Sequence, residues 1–209
     1  MNMITQYKGI DLSKHNLVND WDLVKNQVDF VILRAGGNYG GYYKDPKFEQ
    51  YYDACKFRDI PVGAYYDVGK AFLGAETGKE YAKHFKALLS GHTFELPVYA
   101  DIEVTPRKFK KLISQAAVSF CDSMEFFNYY VGIYGSDIST FHDQLYLDQV
   151  EDYTLWVARY GTEPKYVKSY SIWQYSSKGR IDGIVGNVDL DYCYTDFPKI
   201  IKGVHLNGY

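Results

Sequence analysis

The sequence lacks the features that mark several large classes of protein. Lysine and arginine total 23 against 26 aspartates and glutamates, the formal net charge is −3, and no long block of either sign occurs. The electrostatic footprint of a nucleic-acid-binding protein is therefore missing, as is a polybasic patch for a membrane surface. No apolar run approaches the roughly 18 residues of a membrane-spanning helix. We expect neither nucleic-acid binding nor membrane insertion.

Cysteine and histidine are scarce and are not spaced as metal ligands. The three cysteines are isolated along the chain, which is typical of buried thiols in a protein made in a reducing compartment. The five histidines form no cluster with zinc-binding spacing. No glycine-rich phosphate loop is present. The sequence therefore predicts no metal site and no cofactor.

The first residues carry no export signal, because the segment from Met1 to Gly9 has no apolar core. We expect synthesis in the cytoplasm. If the protein acts outside the cell that makes it, we expect release or export by another route.

Aromatic residues are abundant, with 22 Tyr, 12 Phe and 3 Trp making up 18 % of the chain. Tyrosine combines a flat apolar face with a hydroxyl, a combination that suits the C–H faces and hydroxyl edges of sugar rings. The alternative is that most of these rings simply pack in the core. For Trp156, core packing and sugar stacking are both open.

The hydrophobic pattern predicts short apolar strands that alternate with helices. The predicted strands are 9–13, 30–35, 61–66, 96–103, 130–134, 155–160, 171–175 and 187–191. The predicted helices are 21–27, 45–57, 76–89, 106–127 and 136–146, with Thr105 as the cap of the fourth. Five strand–helix units followed by three strands favour a parallel α/β barrel that closes irregularly over its last third. We place one domain at 1–197 and a weakly structured tail at 198–209 that could lead into a further module.

Carboxylates stand at the ends of several predicted strands. They are Asp11 on the first strand, Asp101 and Glu103 on the fourth, and Asp189 near the end of the last. Active sites of α/β barrels lie at the C-terminal ends of the strands. If the barrel closes, its first and last strands are neighbours, and the four acids converge on one rim.

Asp101 and Glu103 are two positions apart, so a strand places both on one face, about 6.6 Å apart. Two acids at this spacing raise each other's pKa. A carboxyl that stays protonated near neutral pH can act as general acid on a glycosidic oxygen. We assign this role to Glu103, because it lies farther out, and expect Asp101 to tune it and to contact the sugar. The alternative is an ordinary solvated strand end.

Seven segments, in order, give the chain a family resemblance over nearly its whole length. They are Gly9-Ile10-Asp11-Leu12-Ser13, Val31-Ile32-Leu33-Arg34-Ala35, Gly63-Ala64-Tyr65, Tyr99-Ala100-Asp101-Ile102-Glu103, Leu155-Trp156-Val157-Ala158-Arg159-Tyr160, Trp173-Gln174-Tyr175-Ser176-Ser177 and Gly186-Asn187-Val188-Asp189-Leu190-Asp191. The chain resembles the lysozymes of glycoside hydrolase family 25, which include many phage endolysins. Each segment is weak alone, but seven in the right order are strong.

The resemblance implies a (β/α)5(β)3 barrel that hydrolyses the β-1,4 bond between N-acetylmuramic acid and N-acetylglucosamine in bacterial peptidoglycan. Asp11, Asp101, Glu103 and Asp189 match the family's four acidic positions, with Glu103 as general acid. Two courses are open: direct participation of a carboxylate, or help from the substrate's acetamido group, which Asp101 would orient.

Eight further residues are candidates for substrate binding, namely Arg34, Tyr65, Tyr66, Asp67, Tyr134, Trp156, Tyr160 and Gln174. We expect Arg34 to pair with Asp11 or Asp101, because a buried charge needs such a partner. Many relatives carry histidine after the tyrosine of the third strand, where this chain has Tyr66 and Asp67. This departure puts one sugar contact in doubt.

Two other functions fit the same pattern. One is a chitinase-like or endo-N-acetylglucosaminidase activity, which also uses an Asp-x-Glu strand end. The other is a non-catalytic glycan-binding module on the same barrel. That function predicts the loss of an acid, whereas all four are present.

Overall fold

Eight strands of the computed structural model, which describes residues 6–103 and 107–209, close into a barrel. Eleven strands occur in these residues: β1 Tyr7–Leu12, β2 Leu17–Val18, β3 Phe30–Asn38, β4 Tyr42–Lys44, β5 Val62–Asp67, β6 Val98–Asp101, β7 Val131–Ser136, β8 Thr154–Ala158, β9 Ile172–Gly179, β10 Ile184–Val185 and β11 Val188–Cys193. The order around the barrel is β1-β11-β9-β8-β7-β6-β5-β3, and β1 pairs with β3 to close it. The predicted irregular α/β barrel is confirmed.

The helices are α1 Trp21–Lys25, α2 Phe48–Phe57, α3 Ala75–Leu89, α4 Lys110–Phe126 and α5 Phe197–Gly203. The Asp20 side chain caps α1 by accepting the backbone N–H groups of Asp22 and Leu23. A 3-10 turn at Arg107–Phe109 leads into α4. The predicted cap of this helix, Thr105, lies outside the described residues. None of the helices in the described part of the chain has the length and apolar character to cross a bilayer.

The helix predicted at 136–146 is wrong. Ser136 ends β7, and the following residues form turns in which N–H groups bond to carbonyls four or five positions back. The Thr140 hydroxyl donates to the carbonyl of Ile102 and accepts the N–H of Ser136. Contacts with the neighbouring strand end therefore override the local helical preference of this segment.

The direction of the last strand differs from the sequence prediction of a parallel sheet. β11 runs antiparallel to both of its neighbours, β1 and β9. Asp189 consequently lies near the beginning of β11 rather than near its end, and its Cα partner across the sheet is Asp11. The predicted convergence of these two acids is confirmed, although the strand that carries Asp189 runs the other way.

The predicted weakly structured tail is instead folded onto the barrel. Phe197 and Ile201 of α5 are buried in the cluster that fills the inside of the barrel. Asn207 is completely buried, and its side chain accepts the N–H of Tyr130 and donates to the carbonyl of Leu96. This segment packs at the N-terminal end of the parallel strands, so the opposite end is the open one.

Candidate active site

Five acids form what we call the acid cluster at the open end of the barrel: Asp11, Asp101, Glu103, Asp189 and Asp191. Asp11 and Asp101 are 7 % and 8 % exposed, and Asp191 is completely buried. Glu103 lies two residues beyond β6 and is exposed to solvent. The structure therefore brings the four predicted acids together and adds Asp191 beneath them.

The carboxyls of the acid cluster resist ionisation. Burial raises the pKa of Asp11 well above its usual value, and the charges of Asp191 and Asp189 add to the rise. Burial also raises the pKa of Asp101 well above its usual value, with a contribution from Glu103. Among the described side chains, no lysine or arginine forms an ion pair with the cluster. The protonated forms of these carboxyls are therefore favoured here relative to carboxyls in water.

Glu103 combines solvent access with a raised pKa. The protein atoms around its carboxyl raise the pKa, the charges of Asp67 and Asp189 raise it further, and the Tyr134 hydroxyl opposes the rise. A proton donor must reach its substrate and must hold a proton at working pH. Within the cluster, Glu103 is the exposed carboxyl, and the rise in its pKa favours the protonated form that this role needs.

Gln174 links the acid cluster to two tyrosines. Its side-chain Nε2 donates to Asp11 Oδ2 at 2.8 Å. Its Oε1 accepts the hydroxyls of Tyr134 at 2.9 Å and Tyr160 at 3.1 Å. The amide orientation follows from chemistry, because a carboxylate only accepts and a phenol can donate. Gln174 is 2 % exposed, so it positions neighbouring groups rather than presenting a surface to a ligand.

Aromatic rings form the floor of the site. Trp156 contacts Tyr65, Tyr99 and Tyr134, with ring centroids between 4.3 and 6.1 Å apart. Tyr65 is 9 %, Tyr134 6 % and Trp156 1 % exposed. Of the two alternatives for Trp156, the structure favours core packing, because a ring this deeply buried has no free face for a sugar. Its indole also donates to Asp191 Oδ1 at 2.7 Å.

Arg34 and Asp67 lie on the β3–β5 side of the site, but the partner of Arg34 differs from the expectation. Arg34 Nε donates to Asp45 Oδ2 at 2.7 Å, rather than to Asp11 or Asp101. Asp67 Oδ2 accepts the hydroxyl of Tyr43 at 3.2 Å. The positive charge of Arg34 still acts to lower the pKa of Asp101.

Tyr66 and Tyr160 have opposite environments. Tyr66 faces the helix side of β5, is 1 % exposed and packs against Tyr81, Phe85 and Phe120. This position removes Tyr66 from the candidate site, because alternate residues of a strand face opposite sides. Tyr160 is 55 % exposed at the rim. Beside it is an open cavity of about 350 Å³, lined by Glu103, Ser136, Asp137, Ile138, Ala158, Arg159 and Tyr160.

Asp191 is the site residue that sequence reasoning left out of the predicted set. The spacing in the sequence could have identified it. Asp189 and Asp191 are two positions apart on one predicted strand, as Asp101 and Glu103 are on another, and residues two apart on a strand face the same side. No group of His, Cys, Asp and Glu within residues 6–103 and 107–209 has the arrangement to hold a metal ion. The arrangement instead offers acid–base chemistry by carboxyls in an open cleft.

Paired carboxyls at the C-terminal end of an α/β barrel are the arrangement used by many glycoside hydrolases. The model of glycosyl hydrolases family 25 matches residues 10–184. The chain belongs to this family, which confirms the resemblance identified from the seven segments.

Individual relatives agree with the family assignment. The chain is 30 % identical over 191 residues to an autolytic lysozyme of Clostridium acetobutylicum, covering 88 % of this chain and 55 % of that protein. The chain thus spans little more than half the length of this curated relative.

Solved structures share the fold. The CTP1L endolysin is 26 % identical with a TM-score of 0.80, and the match covers 94 % of this chain and 70 % of the endolysin. The catalytic domain of endolysin ply40, from a bacteriophage of Listeria monocytogenes, is 27 % identical with a TM-score of 0.77. That match covers 95 % of this chain and 98 % of the domain.

Proposed function

We propose that this protein is a peptidoglycan hydrolase that cleaves the β-1,4 bond between N-acetylmuramic acid and N-acetylglucosamine. The observation that carries the proposal is Glu103, an exposed carboxyl of raised pKa at the rim of an open cleft. The names of the relatives, an autolytic lysozyme and two endolysins, support a cell-wall substrate.

Glu103 donates its proton to the glycosidic oxygen as the bond to the leaving sugar breaks. The neighbouring charges of Asp67 and Asp189 keep this proton in place until substrate arrives, because they make ionisation of Glu103 unfavourable. After cleavage, the Glu103 carboxylate accepts a proton from the incoming water and returns to its starting state. The cavity beside Tyr160 gives one of the sugars room next to this carboxyl.

Asp101 supports this step from below. Its Oδ1 is buried without a hydrogen-bond partner among the described residues, and the charge of Glu103 helps to raise the pKa of its carboxyl. A polar group of the sugar would satisfy this orphaned oxygen when substrate binds, since a buried polar atom is costly to leave unpaired. The orphaned oxygen supports a binding role for Asp101, and the expected tuning of Glu103 by Asp101 stays a prediction.

Product analysis tests the bond that is cleaved. Purified protein is incubated with peptidoglycan, the new reducing ends are reduced with borohydride, and the fragments are identified by mass spectrometry. We expect N-acetylmuramic acid at the new reducing ends. N-acetylglucosamine there would instead indicate an endo-N-acetylglucosaminidase. Binding without release would indicate a non-catalytic module.

Two matched variants make the assay specific. Glu103→Gln keeps the size of the side chain but removes the proton donor. Glu151→Gln makes the same chemical change in an exposed turn just before β8, at the other end of the barrel. The assignment of Glu103 as proton donor is supported if Glu151→Gln releases peptidoglycan fragments at the wild-type level while Glu103→Gln releases none. Equal release by the two variants would remove Glu103 from the role of proton donor.

A further inference from the structure

Asp191 is a buried acid that the proposed reaction does not use. It lies on β11, where its Cα partners are Gly9 of β1 and Gln174 of β9. Its side chain is completely buried and is the deepest member of the acid cluster. It cannot touch substrate from this depth, so any role in the reaction must act through a neighbour.

The hydrogen bonds of Asp191 are incomplete. Its Oδ1 accepts the indole Nε1 of Trp156 at 2.7 Å. Its Oδ2 is buried with no hydrogen-bond partner in the part of the chain that the structure describes. Asp11 is its diagonal neighbour across the β1–β11 pair, because Asp11 is the Cα partner of Asp189 and Gly9 that of Asp191. The Asp11 carboxyl interacts with that of Asp191, and its Oδ2 already accepts from Gln174 at 2.8 Å.

Two facing carboxylates have no hydrogen between them and repel each other in a buried site. One proton removes both problems, because a protonated carboxyl is a donor as well as an acceptor. We propose that Asp191 is a positioning residue: it shares a single proton with Asp11, so that the pair carries one negative charge and the Asp11 carboxyl is held in one orientation.

The groups around the pair favour this state. Burial and the charge of Asp189 raise the pKa of Asp191, the hydrogen bonds with Trp156 and Asp11 oppose the rise, and the net result is a pKa of about 8. Because burial raises the pKa of Asp11 as well, the pair retains a proton at neutral pH.

The charge of Asp191 contributes to the raised pKa of three more ionisable groups. They are Tyr99 on β6, Tyr175 on β9 and Cys193 on β11. Burial raises the pKa of all three. They therefore stay neutral while the pair holds its proton.

A shared proton also connects the pair to the rim. Asp11 is fixed from one side by Gln174 Nε2, and Gln174 Oε1 accepts the hydroxyls of Tyr134 and Tyr160. Fixing Asp11 from the other side through Asp191 completes this network. The role in the reaction rests on the proposed function, whereas the shared proton itself does not.

Nuclear magnetic resonance of the substrate-free protein tests the shared proton directly. The Trp156 indole N–H is the reporter, because it bonds to Asp191 Oδ1. We expect its resonance to titrate with a midpoint of about 8 in the wild type, and to stay constant through this range in Asp191→Asn. The Trp173 indole, which donates to the carbonyl of Arg159, is the internal control. A Trp156 resonance that does not titrate on either side of neutrality would overturn the shared proton.

Two substitutions test the positioning role. The amide that Asp191→Asn introduces can accept from Trp156 and donate to Asp11, as a protonated Asp191 does. The side chain that Asp191→Leu introduces has similar size and no donor. We expect Asp191→Leu to lower kcat about 10- to 100-fold, the worth of a lost hydrogen bond to a charged group. We expect Asp191→Asn to restore most of that loss while KM changes little in either variant.

The outcomes separate the two proposals. An equal loss of kcat in Asp191→Asn and Asp191→Leu would overturn the positioning role, because it would mean that the Asp191 charge itself is required. If Asp191→Leu fails to fold, the rate of Asp191→Asn alone decides, since a tenfold loss there contradicts the role. If the wild type releases nothing from peptidoglycan, the proposed function fails, and the indole titration still decides the shared proton.

Discussion

The two ends of the barrel both bury carboxyls, but they treat them in opposite ways. At the closed end, Glu95 accepts Lys56 Nζ at 2.5 Å, the Val62 N–H at 3.1 Å and the hydroxyl of Tyr209. Burial alone would raise the pKa of Glu95, but these hydrogen bonds outweigh it and lower the pKa below its usual value. At the open end, burial raises the pKa of Asp11, Asp101, Asp189 and Asp191, and the surrounding protein atoms raise the pKa of the exposed Glu103.

The difference is the supply of donors. Glu95 has a cation, a backbone amide and a phenol, so it stays ionised and ties α2, β5 and the C-terminal segment together. Asp101 Oδ1 has no donor among the described residues, and Asp11 has the amide of Gln174. A fold can bury acids safely with donors, so acids left without them in a cleft indicate chemistry rather than stability.

The largest effect should come from removing the proton donor of the open end. We expect Glu103→Gln to lower turnover of peptidoglycan about 100- to 10,000-fold, the usual worth of general acid catalysis. The KM should change little, because the amide keeps the shape of the side chain. Steady-state kinetics on soluble wall fragments measures both quantities. A loss confined to KM would indicate a binding role instead.

The next effect concerns the closed end. We expect Lys56→Met to lower the free energy of unfolding by about 2 kcal/mol at neutral pH, because it leaves Glu95 buried without its cation. The lowered pKa of Glu95 stabilises the fold above the unfolded value of about 4.3, and this contribution is lost as the pH falls through the folded value. Urea unfolding at several pH values should therefore show a deficit that shrinks in acid.

Lys44→Met is the matched control for this prediction. It breaks the Lys44–Glu49 ion pair, whose side chains are 48 % and 44 % exposed. Exposed pairs contribute less than about 1 kcal/mol. If Lys56→Met and Lys44→Met lowered the free energy of unfolding equally, the buried network around Glu95 would stabilise the fold no more than an exposed ion pair does.

The open end should respond to charge removal in the opposite direction. We expect Asp101→Asn to raise the free energy of unfolding at neutral pH by about 1 kcal/mol, because the pKa of Asp101 is raised and its ionised form destabilises the fold. The gain should be present above the folded pKa and should vanish as the pH falls towards the unfolded value of about 4. Activity should fall at the same time. Urea unfolding at neutral pH measures the change in stability. A lower free energy of unfolding in Asp101→Asn would contradict the proposed difference between the two ends of the barrel.

The smallest effects distinguish two buried tyrosines. Tyr134→Phe removes the donor to Gln174 Oε1, and we expect turnover to fall about fivefold, the worth of one hydrogen bond. The hydroxyl of Tyr66 is buried without a partner among the described residues. Tyr66→Phe should leave turnover within about twofold and stability equal or slightly higher, since no bond is lost. If Tyr66→Phe lowered turnover as much as Tyr134→Phe does, Tyr66 would have to be counted as a residue of the active site.

The sequence predicts the barrel and the four rim acids because strand periodicity and strand-end position are local signals. The strands that carry Asp101 and Asp11 lie where the apolar runs predict them. Strand direction is not local: the apolar run of β11 has the same pattern in either direction, so its antiparallel course depends on pairing with β1 and β9.

Side-chain partners were harder to predict for the same reason. Arg34 pairs with Asp45, which follows the β3–β4 hairpin, and the sequence predicted no β4 strand. Whether Tyr66 or Tyr65 faces inward depends on the register of β5, since a shift by one residue exchanges the two faces. Asp191 required knowledge of depth in the barrel, which composition and spacing do not provide.

The antiparallel course of β11 has a consequence for how the protein is made. The Gln174–Asp11 hydrogen bond joins residues 163 positions apart, and Asp189 pairs with Asp11 only after β11 has inserted between β1 and β9. A chain that has not yet extended through β11 can hold Asp101 at the end of β6, and Glu103 just beyond it, without Asp189 or Asp191 beside them. Closure of the barrel and assembly of the acid cluster are therefore one event, and a chain that stops before β11 carries no assembled site.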